Sequence, residues 1–493
     1  MRRRLFVLAI AAAMAFGMLP AGAVPTPVVA SDNVELLAQM PDVAAISTTF
    51  SSDSPHMYVS TLHGFSVYDI SDPALPKLLA ELPFVYWENE SMSMGERVAE
   101  DGTKTKFALI GLDIYGVSPT DATKRASVSG EEVIVVDVTN PAAPRIRGRV
   151  NTPSSTHTVA CVTKDCQYAY TSGAYDAGKF HVVDLTDLDA PKVVKELNNV
   201  AGDGHQWDLD ALGNIWSTGG DGAAGYDISD PLNPRALAST DRNGTMSPYN
   251  DFIMHNAWHP GAENFTQVQD EATGRLVSGS KETASVFDGN VLLVTEEDYD
   301  NPRCGGGAGE GTFSTWYIPY QDADQYAADN PAYKKNLGQM TPLDTWNTEI
   351  LNTGQGTVAG ALCSAHYFTY HDAGFIAQGW YQQGTRILDV RNPHDIKQVG
   401  YFFTGASETW HAYWVPEYVD GVQTGRDTNI VYTNDAARGI DILRVGLPET
   451  PAEGTAPVEA PILPQWLAAG VNAVASLPSD DWGYLCRLTT PRI

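Results

Sequence analysis

Two stretches decide the fold: Phe65-Ser66-Val67-Tyr68-Asp69-Ile70-Ser71-Asp72-Pro73, and Val133-Ile134-Val135-Val136-Asp137-Val138-Thr139-Asn140-Pro141. Each is a short β-branched and aromatic run that ends in Asp, with Asp-Pro or Asn-Pro three residues on. Such a run reads as a buried strand. The Asx side chain can bond its own backbone while Pro ends the ladder, so the chain turns sharply. Pro76-Lys77 and Pro144-Arg145 then open a second strand. Further copies run from Asp184 to Pro191-Lys192, Asp227 to Pro234-Arg235 and Asp389 to Ile396-Lys397, with a truncated copy at Gly439-Ile440-Asp441-Ile442-Leu443.

Another apolar run precedes each copy, as in Met57-Tyr58-Val59, Phe107-Ala108-Leu109-Ile110, Tyr168-Ala169-Tyr170, Val291-Leu292-Leu293-Val294, Phe375-Ile376-Ala377 and Ile430-Val431-Tyr432. Blocks of roughly 40–50 residues with about four strands each are the size of a propeller blade. The predicted fold is all-β, a seven-bladed β-propeller over residues 33–446. The gap from Asp227 to Asp389 is assigned to a degraded fifth blade with insertions around Asn301–Gly311 and Tyr320–Gln355. Leu36-Leu37-Ala38-Gln39-Met40-Pro41 echoes Leu78-Leu79-Ala80-Glu81-Leu82-Pro83. The N-terminal segment is therefore expected to supply the outer strand of the last blade and close the ring. Residues 447–463 read as a Pro/Ala/Glu linker and 464–493 as a C-terminal tail.

Arg2-Arg3-Arg4, the apolar run Leu5 to Leu19 and Ala21-Gly22-Ala23 read as a signal peptide over residues 1–23. A loose twin-arginine core at Arg3-Arg4-Leu5-Phe6-Val7 leaves the export route open. The expected location is secreted or periplasmic. Five cysteines suit an oxidising compartment, with bridges expected at Cys161–Cys166 and Cys304–Cys363, and Cys486 left over. A formal net charge of −29 argues against nucleic acid and anionic membrane surfaces as partners. No segment reaches membrane length, so no membrane insertion is expected.

The strand motif Val133 to Asp137 resembles the LVIVD-repeat family, a grouping specific for fold and not for function. Against that repeat the histidines fall in register. His157, His205, His255, His366 and His411 each sit at the start of a blade's first strand, the strand that lines the channel. Five imidazoles on one axis would suit a transition metal ion such as copper, iron, zinc or manganese. The bland alternative is a wet polar channel. Glu88 and Glu90 stand near that position in the second blade; Asp113, Asp221, Glu296 to Asp298 and Asp435 are candidate orienting acids. Of the five imidazoles His157 is the expected outlier. Trp207, Trp258, Trp410 and Trp414 are candidate pocket walls, whereas His56, His63, His181 and His394 are expected at the surface.

A second stretch, Met254-His255-Asn256-Ala257-Trp258-His259-Pro260 with Asn290 to Glu297, is similar to a blade of the selenium-binding protein and methanethiol oxidase family. That likeness implies a metal-dependent oxidase. The functional expectation is a histidine-lined metal site serving an oxidoreductase on a small molecule, with Glu297 and Asp435 orienting ligands or moving protons. The alternative is a non-enzymatic scaffold that presents its loops to an extracellular protein or glycan.

Overall fold

The computed structural model describes residues 28–449 apart from 42, 44, 62–63, 84–88, 113–131, 154–155, 164, 174–177, 241–252, 270, 272–275, 299–310, 320–337, 349–362, 405–406 and 437. The expected signal peptide, the C-terminal tail and most of the linker lie outside the described residues. Among the described residues no helix is long and apolar enough to cross a membrane.

Among the described residues seven sheets follow one another along the chain as blades, each built from antiparallel strands in sequence order, with two exceptions. The N-terminal segment adds the outermost strand to the last two, and Gly338–Gln339, inside the expected Tyr320–Gln355 insertion, adds a parallel fifth strand to the fourth. Their first strands are Ala45–Phe50, Ser93–Val98, Thr158–Cys161, Gly204–Leu209, Ile253–Trp258, Phe368–His371 and Thr409–Val419, in blades 1 to 7. Blade 5 is the divergent one. Its four strands are Ile253–Trp258, Val291–Glu297, Phe313–Tyr317 and Thr341–Trp346. An insertion not foreseen from the sequence, with a small Val268–Gln269/Leu276–Val277 hairpin, separates its first two strands.

Blade faces explain why the repeat strand is continuously apolar. Val133, Ile134, Val135 and Val136 are all buried. Val133 and Val135 pack with Val159 and Val183 of blade 3, while Ile134 and Val136 pack with Tyr58 and Val67 of blade 1. A sheet covered on both faces has no polar side for alternation to mark. The same two-sided packing recurs around the ring, where seven apolar clusters each join one pair of neighbouring blades. Blade 7 against blade 1 is one of those pairs, joined by Met57, Val59, Tyr432 and Ile440.

The Asp-x-Ser/Thr-Asp/Asn-Pro punctuation works as two successive Asx turns. Asp69, Asp137, Asp184, Asp227 and Asp389 each accept the N–H two residues on, at 2.8–3.1 Å. Asp72, Asn140, Asp187, Asp230 and Asn392 repeat the bond at 3.0–3.2 Å. Cys161 and Cys166 are disulfide-bonded, with Cα atoms 4.9 Å apart, as the sequence suggested. Cys363 is also disulfide-bonded; its expected partner Cys304 lies outside the described residues.

Closure is by strand exchange between the chain ends. Val34–Met40 pairs antiparallel with Gly439–Val445 and becomes the outer strand of blade 7. Val28–Ala30 goes further than expected and adds a fifth strand to blade 6 through Phe402, Phe403 and Thr404. Gly439 sits at this seam with φ 94°, where a β-carbon would run into the Met40 carbonyl oxygen. Gly439→Ala should therefore lower unfolding free energy by more than about 2 kcal/mol, combining left-handed strain with a clash. Gly213 has φ 84° but open space around it, so Gly213→Ala isolates the strain alone and should cost about 1 kcal/mol. Equal losses in urea unfolding would show that the seam is not tightly packed.

Candidate metal centre

All five register histidines stand at the start of their blade's first strand, on the face from which those strands enter the channel. Local irregularities aim them. The pairing of first and second strands shifts between Gly204 and Gln206, and between Met254 and Ala257, so His205 and His255 fall in bulges. A bulge bends the strand and re-aims the side chain it carries. His157 and His366 lie just before their strands.

Four of the imidazoles converge on two carboxylates. Glu90, ahead of the first strand of blade 2, brings Oε2 to 3.1 Å from His157 Nε2, 3.3 Å from His205 Nε2 and 3.4 Å from His255 Nε2. Its Oε1 is 3.4 Å from His366 Nε2. Glu297, at the end of the second strand of blade 5, places Oε2 3.4 Å from His255 Nε2 and Oε1 3.6 Å from His366 Nε2. The His157 and His205 Nε2 atoms are 3.1 Å apart. Glu90, Glu297, His255 and His366 are fully buried.

His411 is the outlier, and His157 is not. The His411 ring lies flat between Tyr367 and Tyr413, with centroids at 3.8 and 4.5 Å, and its centroid is 6.4 Å from that of His366. Among the described residues it joins no group of potential ligands, whereas His157 does. In blade 7 the pairing shifts between Thr409 and His411, so His411 is itself paired with Asn434 past the bulge, whereas His205 and His255 lie within theirs. Its register in sequence carried no sign of this.

Other expectations sort as follows. Glu297 belongs to the cluster itself. Asp435 instead accepts from Glu408 N, Thr409 Oγ1 and Arg438 N, and so shapes a turn. Glu88 and Asp113 lie outside the described residues. Of the four tryptophans only Trp410 borders an imidazole of the cluster, 5.1 Å from His366. Trp207 packs between blades 3 and 4, Trp414 against His371, and Trp258 is partly exposed. His181, expected at the surface, is buried on the third strand of blade 3. His259 bonds Asp210 Oδ2 at 2.8 Å and the Gly289 carbonyl at 2.7 Å, and so is a structural residue. Tyr381 was not foreseen at all. It has φ 27° and donates its hydroxyl to Glu297 Oε1, and nothing in the sequence around it marks it out.

Tautomers are set from behind. Nδ1–H of His205 donates to the His255 carbonyl, and Nδ1–H of His366 to the Trp410 carbonyl, both at 3.0 Å. Backbone acceptors at Nδ1 leave Nε2 as the inward-facing atom, the arrangement that metal-bound histidines require. Burial lowers the His205 pKa to about 4, so its Nε2 carries a lone pair 3.1 Å from His157 Nε2 and 3.3 Å from Glu90 Oε2. Burial also holds His255 well below the usual imidazole range, and among the described residues neither of its ring nitrogens makes a hydrogen bond. Burial opposes the ionisation of Glu90, but His157 and His366 outweigh it and hold the carboxyl well below its ordinary value. Burial raises Glu297 to about 7. His366 feels the same burial, yet Glu90 and Glu297 raise it. The His205 Nε2 lone pair and the Glu90 carboxylate oxygen 3.3 Å from it repel unless a proton or a cation stands between them. Imidazole nitrogens and carboxylate oxygens in this number fit copper, iron, zinc or manganese.

A cavity of about 730 Å³ lies elsewhere, lined by Phe50, Glu96, Val98, Cys161 and Leu209 at the downstream ends of the first strands of blades 1 to 4. It opens at the channel end opposite the histidines.

Residues 127–152 match the LVIVD repeat family. The β-propeller domain of Myceliophteria thermophila Cps50 (Swd1) is similar in structure at 11% identity and a TM-score of 0.49, covering 84% of this chain and 100% of that one. No curated protein matches the sequence.

One buried acid on the histidine face gives a pH test. Burial, aided by the neighbouring Asp435, raises Glu408 to about 8 from 4.5. The folded chain therefore holds a proton that the unfolded chain releases. This contribution is fully present below pH 4.5 and is lost as pH rises through 8, a change on the order of 5 kcal/mol. Glu408→Gln should flatten the decline in urea-unfolding free energy between pH 5 and 8. An unchanged slope would show that Glu408 ionises normally.

Proposed function

We propose that this chain is an exported propeller that binds a transition metal ion on its channel axis and works as a metal-dependent oxidoreductase on a small molecule. The observation that carries the metal reading is the set of four imidazole Nε2 atoms turned onto two buried carboxylates, two of them with Nδ1 already committed to backbone carbonyls. His157, His205, His255, His366, Glu90 and Glu297 would hold the ion. A bound copper, iron or manganese ion would supply electron transfer, while zinc would supply only Lewis acidity.

The residues themselves position and protect. Tyr367 walls the cluster, its ring 4.2 Å from His255 and 3.8 Å from His411. Tyr381 donates to Glu297 and keeps that carboxylate turned toward His366. Export is supported by the Cys161–Cys166 disulfide, and the oxidase assignment by the resemblance of the Met254–Glu297 stretch.

A scaffold reading is favoured by one observation: the site is buried, and the large described cavity lies at the other end of the channel. In that reading the ion stabilises the ring and the loops meet a protein or glycan.

The site makes a sharp mutational forecast. His205→Ala and His255→Ala should each lower metal content of the purified, tag-free protein by at least half, with the fold intact by circular dichroism. His411→Ala should leave metal content unchanged, because its ring is held by stacking. Protein free of transition metals after expression with metals supplied would sink the metal reading and leave the scaffold.

A further inference from the structure

We infer that the cluster is built for two metal ions that share Glu90, one on each carboxylate oxygen. This rests on the metal reading above and deepens it. Ligands of one tetrahedral ion bonded at about 2.0–2.1 Å stand about 3.3–3.4 Å apart. Glu90 Oε2, His157 Nε2 and His205 Nε2 are separated by 3.1, 3.3 and 3.1 Å, a triangle of that size. On the other side Glu90 Oε1 is 3.4 Å from His366 Nε2, which is 3.6 Å from Glu297 Oε1. Glu297 Oε2 in turn is 3.4 Å from His255 Nε2. This second set is complete without His157 or His205.

One ion cannot collect both sets. The imidazoles form an arc, with centroid steps of 4.7 Å from His157 to His205, 3.8 Å to His255 and 4.1 Å to His366. The ends of the arc, His157 and His366, share Glu90, but no group of ligand atoms within 4.8 Å of one another contains both. A third such group, His205, His255 and Glu297, spans the two sets. Each set also holds one imidazole fixed at Nδ1 by a backbone carbonyl: His205 facing Oε2 and His366 facing Oε1 of the same carboxylate. Two orienting bonds on opposite sides of one bridging acid are what a pair of ions about 3.5–4 Å apart requires. Six protein ligands around a single ion would leave no position open, whereas three or four per ion leave room on each.

The test is metal stoichiometry on the full mature chain, stripped with chelator and reloaded with Mn(II) or Cu(II), then desalted and measured by mass spectrometry. Wild type should retain two ions per chain. His157→Ala and Glu297→Gln should each retain one, and Glu90→Gln should lose at least one and abolish magnetic coupling. The electron paramagnetic resonance of the loaded wild type should show a spin-coupled pair, replaced by an isolated-ion spectrum in His157→Ala. Thermal unfolding of each variant without metal checks that the fold survives. One ion per wild-type chain with an uncoupled spectrum overturns the two-ion inference and leaves the metal reading standing. No retained ion overturns both.

Discussion

The antiparallel pairing of Val34–Met40 with Gly439–Val445 is the constraint on which everything else depends. Without it blade 7 ends at its third strand and presents an open edge, and the ring stays unjoined between the chain ends. With it, seven interblade clusters complete a circle. Only a closed circle fixes the radius at which the first strands stand around the axis. Imidazoles from blades 3, 4, 5 and 6 then meet carboxylates from blades 2 and 5 at hydrogen-bond distances. Those residues span more than two hundred positions of sequence, from Glu90 to His366, and no local interaction brings them together.

Two buried carboxylates among desolvated imidazoles are costly to fold, and a hydrophobic filling of the channel would be cheaper. The structure maintains them with specific devices: bulges at His205 and His255, backbone acceptors behind His205 and His366, and a strained Tyr381 against Glu297. Strain and uncompensated polarity that persist where the surroundings over-determine them are features of working sites. The remainder of the ring follows ordinary packing, with apolar strands between blades and Asx turns at their ends.

The same residues show how one repeat serves two ends. The Asp that closes each third strand is structural wherever it is described, a turn-maker whose role repeats blade after blade. The histidine that opens the first strand is copied as often, but its copies diverge in use. His205, within its bulge, reaches the axis, whereas His411, paired just past the bulge of its strand, is captured by Tyr367 and Tyr413. His259, four residues past His255, bonds Asp210 and supports the blade instead.

The sequence by itself determined the blade unit, the number of blades, the clasp at the chain ends, the Cys161–Cys166 bridge and the register of the histidines. Each of these is local, or is a repeat of something local. Strand periodicity, Asx-Pro turns and short cysteine spacing act within a few residues of one another. Tertiary structure alone decided which imidazoles meet, that Glu90 and Glu297 lie among them, and that Tyr381 holds Glu297. Those outcomes depend on bulges of one residue and on the angle at which each strand enters the channel. A one-residue shift in a strand turns a side chain to the other face, and composition does not record it.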